Sequence, residues 1–119
     1  MTNGVIFDTK QTEMLLQQWG RWSRISLKLN IGRGDYTNVA LISDDMALVM
    51  DKIIAEMGSS HPVLKQILLI YYRDDYNFPM VANAIKCGET RARALHTAAV
   101  AWVDGSIKTL TADNFSISA

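Results

Sequence analysis

Cysteine is almost missing from this chain: Cys87 is the only one in 119 residues, and His61 and His96 are the only histidines. A single cysteine cannot close an internal disulfide, and no Cys/His pairs stand at zinc-ligand spacing, so a structural zinc finger is excluded on ligand count and no metal site is expected. Long apolar runs are missing too. The best candidate, Val63 to Tyr72, is broken by Lys65 and Gln66 and falls short of the roughly 18 residues of a membrane span. The opening MTNGVIFDTK has neither a basic start nor an extended apolar segment, so no secretory signal is read there and a cytoplasmic location away from membranes is expected. Net charge is zero, from 12 basic and 12 acidic residues, which argues against a non-specific nucleic-acid coat. No Ser/His/Asp or Cys/His constellation and no Gly-rich loop following a strand is present, so neither an enzyme nor a cofactor is expected. His61 and His96 read as capping or surface residues.

What is present points to one helical domain. Hydrophobic residues make up 49% of the chain and mean hydropathy is +0.04, enough for a single core and too apolar for a disordered segment. The charges, although balanced in total, are sorted along the chain. Residues 20–34 hold Arg21, Arg24, Lys28 and Arg33 without an acid. Residues 35–60 are acidic, with Asp35, Asp44, Asp45, Asp51 and Glu56 against Lys52, and residues 78–103 turn basic again through Lys86, Arg91 and Arg93 against Glu89.

Periodicity supplies the elements. Residues 1–11 read as a flexible lead-in. Leu15, Trp19 and Trp22 recur at the spacing of one helical face, and Gly20 among them suggests close packing against the neighbouring tryptophans. Residues 30–38, NIGRGDYTN, read as a loop, and Val39 to Ile42 as at most a short extended piece. A second helix is predicted from Ser43 or Asp44 to Met57, with Met46, Met50, Ile53, Ile54 and Met57 inward; Asp44 and Asp45 occupy the first turn, which the helix dipole favours. Gly58 then serves as C-cap, and Pro62 opens a third helix to about Asp74 with Val63, Ile67, Leu68 and Tyr71 on one side. Methionine in these segments fills irregular core gaps. The domain is assigned to residues 12–105, and 106–119 to a flexible tail.

Residues 78–103 carry the most informative pattern. Pro79 opens a short helix to about Lys86, Cys87-Gly88 interrupts it, and a longer helix runs from Glu89 to about Val103. Two helices joined by so tight a turn must pack steeply, which demands apolar residues at Val81, Ile85, Cys87, Ala92 and Leu95 and a small residue, Ala82, at the closest approach. The expectation is therefore an all-α compact helical domain of about five helices with a C-terminal helix-turn-helix. Thr90, Arg91, Arg93, Ala94 and Thr97 then point away from the core. Arginine can pair with guanine or phosphate, and threonine and alanine can contact the thymine methyl. Lys86, Thr90, Arg91, Arg93, Ala94 and Thr97 are the predicted DNA contacts. The competing readings are a plain helical hairpin or a helical protein-interaction module.

WGRW at Trp19 to Trp22, DDMALVMDKIIAEM at Asp44 to Met57, LKQILLIYYRDDYNFPMVANAIKCG at Leu64 to Gly88 and ARAL at Ala92 to Leu95 together resemble phage late-gene antitermination proteins of the Q type, the phage 21-like class. The resemblance covers about Met14 to Gly105, and the C-terminal half also resembles the helix-turn-helix of sigma factors. The Gly32-Gly34 loop and the Ser/Thr-rich tail match nothing in that pattern. The resemblance implies a bacteriophage protein in the bacterial cytoplasm that binds double-stranded DNA near the late promoter. It implies engagement of RNA polymerase paused with its sigma factor, and a block to terminator hairpins where nascent RNA leaves the enzyme. Two or more copies per complex fit this picture. DNA contact carries over to Thr90, Arg91, Arg93 and Thr97. For RNA or polymerase the basic Arg21, Arg24, Lys28 and Arg33 suggest themselves by charge alone. A regulator or sigma-like factor acting only at initiation is the alternative.

Overall fold

The computed structural model describes residues 9–27 and 42–118. The described residues form five helices and no strand: α1 (Thr9–Leu27), α2 (Asp44–Ser60), α3 (Pro62–Leu68, continuing as a π-helical turn over Leu69–Arg73), α4 (Phe78–Ile85) and α5 (Glu89–Ser118). The protein is all-α.

Local chemistry sets the helix ends. The Ser43 hydroxyl accepts from the Met46 amide (3.1 Å) and caps α2, with Asp44 and Asp45 in its first turn. Helix α2 continues past the predicted stop to Ser60, and His61 joins it to α3, where Pro62 takes the first helical position. Gly58 is therefore not a C-cap. It leaves room for a neighbour, because a Cβ at Gly58 would lie 2.5 Å from Cδ of Lys65. The predicted third helix ends differently as well: its last turn widens, with Asp74 N–H bonding to Leu69 O and Tyr76 N–H to Ile70 O. Asp75 then takes a left-handed conformation, φ 63°.

Two apolar clusters share α3 and α5. The larger joins Leu16 and Trp19 of α1, Met50, Ile54 and Met57 of α2, Leu68 and Tyr72, and Val100, Val103 and Ile107 of α5. The smaller joins Ile67, Val81, Ala82 and Ala92, and Tyr71 and Leu95 pack against both. Each fully buried Leu, Ile or Val contributes about 1.5–3 kcal/mol, so α5, threaded through both clusters, holds the two halves as one body.

The buried face of α1 is rotated from the predicted one. Thr12, Leu16, Trp19 and Gly20 are buried, whereas Leu15 and Trp22 are half-buried. Val63, expected inward on α3, is exposed, and Leu64 takes its place. Met50 and Met57 fill the core as predicted, Met46 is half-buried, and Met14 and Met80 face solvent. The buried Thr12 hydroxyl donates to Asp104 Oδ1 (2.7 Å), whose other oxygen meets Lys108 Nζ (3.1 Å), tying the start of α1 to α5. Burial disfavours the charged Asp104 carboxyl, but the Thr12 and Lys108 hydrogen bonds and the Lys108 charge outweigh it and hold its pKa below the ordinary value. The final helix also runs to Ser118, well beyond the predicted end near Val103, so residues 106–118 are helical where the sequence suggested a flexible tail. Of the lead-in read at 1–11, residues 9–11 belong to α1, and its remainder at 1–8 and the loop at 30–38 lie outside the described residues.

Candidate nucleic-acid interface

The α4–α5 wedge stands on three local features. The Asn77 side chain accepts from the Met80 amide (3.0 Å), capping α4, and Pro79 sits in its first turn. Helix α4 ends on Lys86 in the left-handed region, φ 60° and ψ 53°, with Lys86 N–H bonding to Asn83 O (3.3 Å) and Cys87 N–H to Ala82 O (3.0 Å). This is the position where the sequence pattern leads one to look for glycine. Gly88 O then accepts from Ala92 N–H (3.0 Å) and starts α5. On the inner side Val81, Ala82 and Ala92 are buried against Ile67 of α3, with Ile85, Cys87 and Leu95 half-buried around them. Small residues at 82 and 92 let the two helices approach closely, as the turn requires. Cys87 is half-buried, and its thiol donates to Gly88 O (3.3 Å).

All six predicted DNA-contact residues, Lys86, Thr90, Arg91, Arg93, Ala94 and Thr97, are exposed. They do not form one uniform surface. Residues two apart on a helix project roughly 200° from each other, so Arg91 and Arg93 leave α5 on opposite flanks. Arg93 is held back against the protein. Its Nη2 and Nε donate to Glu89 Oε2 (2.7 and 3.2 Å), and its guanidinium carbon lies 4.5 Å from the centre of the Phe78 ring. The side chains of Arg91 and Lys86 have no hydrogen bond or ion pair among the described residues. With Thr90, Ala94 and Thr97 they make a solvent-facing surface of two unpaired cations and short side chains at the N-terminal end of a helix.

Phe78, which anchors Arg93, belongs to an aromatic cluster that the sequence pattern did not reveal. Tyr71 stacks on Phe78 (centroids 4.8 Å) and meets Tyr72 edge-on, and His96 lies 4.7 Å from Tyr71 and 5.2 Å from Phe78. His96, expected at the surface, is buried, because the face of α5 that carries Ala92, Ala99 and Val103 carries it inward too. Its Nε2 meets the Tyr72 hydroxyl at 2.7 Å. Burial pushes the His96 pKa down, with Glu13 partly opposing; burial first, then Glu13 and Tyr71, pushes the Tyr72 phenol up. Both shifts favour the neutral form, so the pair is joined by a hydrogen bond between an uncharged phenol and an uncharged imidazole at pH 7. His61 is exposed, and its Nδ1 meets Ser60 Oγ (2.8 Å) at the α2–α3 joint.

The N-terminal basic residues meet a different outcome. Arg24 Nη1 donates to Arg73 O (2.7 Å) and Tyr72 O (3.3 Å), carbonyls at the end of the π turn. This bond fixes α1 on α3 and takes Arg24 out of the set available to RNA or polymerase. Arg21 is exposed beside Arg24, Tyr72 and Asp75. Lys28 and Arg33 lie outside the described residues. The rest of WGRW is structural: Trp19 Nε1 donates to Asp51 Oδ1 (2.8 Å), and Trp22 Nε1 to Asp44 Oδ1 (2.8 Å). Gly20 sits directly against the Tyr72 carbonyl, where any Cβ would collide. The close packing predicted for Gly20 is real, but its partner is backbone and not tryptophan.

No family model, curated protein or solved structure matches this chain. Among the described residues no helix is long and apolar enough to cross a membrane, and no group of three or more His, Cys, Asp or Glu could hold a metal ion.

Proposed function

We propose that the chain is a phage transcription antitermination factor that binds double-stranded DNA near a late promoter through the α4–α5 wedge. From there it loads onto RNA polymerase paused with its sigma factor and prevents terminator hairpins from forming at the RNA exit channel. The observation that carries the DNA-binding step is the solvent-facing Lys86–Thr90–Arg91–Ala94–Thr97 surface on a capped, internally packed helix pair. Two unpaired cations suit phosphate or guanine, and the short side chains between them permit close approach to a groove. The polymerase step rests on the resemblance of residues 14–105 to the Q-type antiterminators. It is supported by the joining of the N-terminal helices to the wedge through two apolar clusters that share α3 and α5, with Tyr71 and Leu95 packed against both.

Transcription in vitro from the cognate late promoter through an intrinsic terminator tests the proposal. Read-through should rise with protein concentration and fall when Arg91 is replaced by Ala. Unchanged termination at saturating protein contradicts it. Altered initiation with no effect after promoter escape would instead favour a helix-turn-helix regulator or sigma-like factor.

A further inference from the structure

A second surface lies away from the α5 face. Helices α2 and α3 form a hairpin around His61, and their outer ridges border a groove of about 560 Å³. Leu48, Lys52 and Ala55 line one side, and Lys65, Leu69 and Arg73, each four residues apart, line the other. Leu48, in the second turn of α2, is 55% exposed. The three cations face one carboxylate, Asp51, and that group accepts from Trp19 Nε1 (2.8 Å).

Neither Lys52 nor Lys65 has an acidic partner among the described residues. Lys65 is nevertheless held, because its stem lies across Gly58, where a Cβ would be 2.5 Å from Cδ. Arg73 is steadied by Asp74 (Nε to Oδ1, 3.0 Å). Lys65 and Arg73 are eight residues apart, so their anchors are separated by about 12 Å, two helical turns. Of the acidic run noted in the sequence only Asp51 lines the groove, so the cations Lys52, Lys65 and Arg73 outnumber the carboxylate there.

We infer that this α2–α3 groove docks an acidic amphipathic helix of a partner protein. Apolar side chains of that helix cover Leu48 and Leu69, and carboxylates on its flanks meet Lys52, Lys65 and Arg73. An apolar floor rimmed by cations fits this occupant better than it fits a nucleic acid strand, because no exposed aromatic ring lines it for base stacking: Trp19, the one aromatic there, is buried. The inference stands apart from the DNA-binding reading, since none of its residues lies on α4 or α5.

Titration of the isotopically labelled full chain, followed by NMR, tests it with three probes. These are a short synthetic helix with a leucine stripe flanked by glutamates, the same helix with lysines in place of the glutamates, and oligouridylate RNA. The glutamate helix should shift the Leu48, Ala55 and Leu69 amides, and the lysine helix should not. A Lys52→Glu/Lys65→Glu variant should lose roughly tenfold or more in affinity for the glutamate helix and gain affinity for the lysine helix. The Lys52→Gln/Lys65→Gln variant should fall between, and a thermal melt of each verifies folding. No shift in the groove, binding indifferent to the charge changes, or RNA alone shifting these residues overturns the inference.

Discussion

Arg24 and Arg91 both belong to basic stretches of similar appearance, yet the fold treats them oppositely. Arg24 donates to the Tyr72 and Arg73 carbonyls and holds α1 against the π turn, whereas Arg91 leaves α5 with no partner among the described residues. Arg93 stands between these cases, exposed but bound to Glu89 and laid over Phe78. A basic run thus indicates a nucleic-acid surface only after the cations that the fold itself employs have been subtracted. By that measure the N-terminal segment is a structural anchor over its described part, and the wedge is where positive charge is left over.

Substitutions can break or sharpen this contrast. The largest effect is expected on the anchoring side. Gly20→Ala drives a Cβ into the Tyr72 carbonyl and should destabilise the protein by about 3 kcal/mol, read by urea denaturation, despite the higher helix propensity of alanine. Arg24→Ala leaves two carbonyls at the end of the π turn without their donor and should cost about 2 kcal/mol of stability. DNA affinity measured well below the unfolding transition should stay within about twofold.

Arg91→Ala should reverse that pattern. Stability should hold within about 0.5 kcal/mol, while DNA affinity falls by about 1–2 kcal/mol, with Arg93→Ala costing less because Glu89 and Phe78 already engage that guanidinium. Lys86→Gly relieves a left-handed lysine and should stabilise the fold by about 1 kcal/mol, raising the melting temperature by about 4 °C while weakening DNA binding slightly.

Acid should act through the aromatic cluster. The folded His96 pKa lies below its ordinary 6.5, so its contribution to stability is complete above that value. The contribution is lost as pH falls from 6.5 toward the folded pKa, because the unfolded chain takes up the proton first. Denaturation midpoints measured across that window should decline in the wild type, and the decline should flatten in His96→Gln.

Much of this arrangement was legible in sequence, and the exceptions have physical causes. Helix α2, the α4–turn–α5 break and the inner residues Val81, Ala82 and Ala92 follow from periodicity, caps and the size limits of a tight turn. The exposure of Lys86, Thr90 and Arg91 follows from the same geometry. Helical spacing offered two adjacent faces for α1, and only the Gly20–Tyr72 contact, remote in sequence, selects the one bearing Leu16. The π turn at Leu69–Arg73 depends on tertiary bonds such as that from Arg24, so no local pattern announces it. His96 lies inward because one face of α5 is buried from Ala92 as far as Ile107, whereas the Ser/Thr-rich composition of its last turns gave no sign of a long helix. The Glu89–Arg93 pairing was available from its i, i+4 spacing, but the role of Phe78 beneath it requires the fold.

The most direct measurement is backbone amide mapping of the full chain titrated with a short mixed-sequence DNA duplex at low salt. Shifts concentrated between Lys86 and Thr97, with α1 silent around Arg24, and with midpoints moved together to about five- to thirtyfold higher DNA concentration by Arg91→Ala, are the predicted result. Shifts centred on α1 or α2, with residues 86–97 unmoved, would contradict the assignment of the wedge as the DNA-contacting surface.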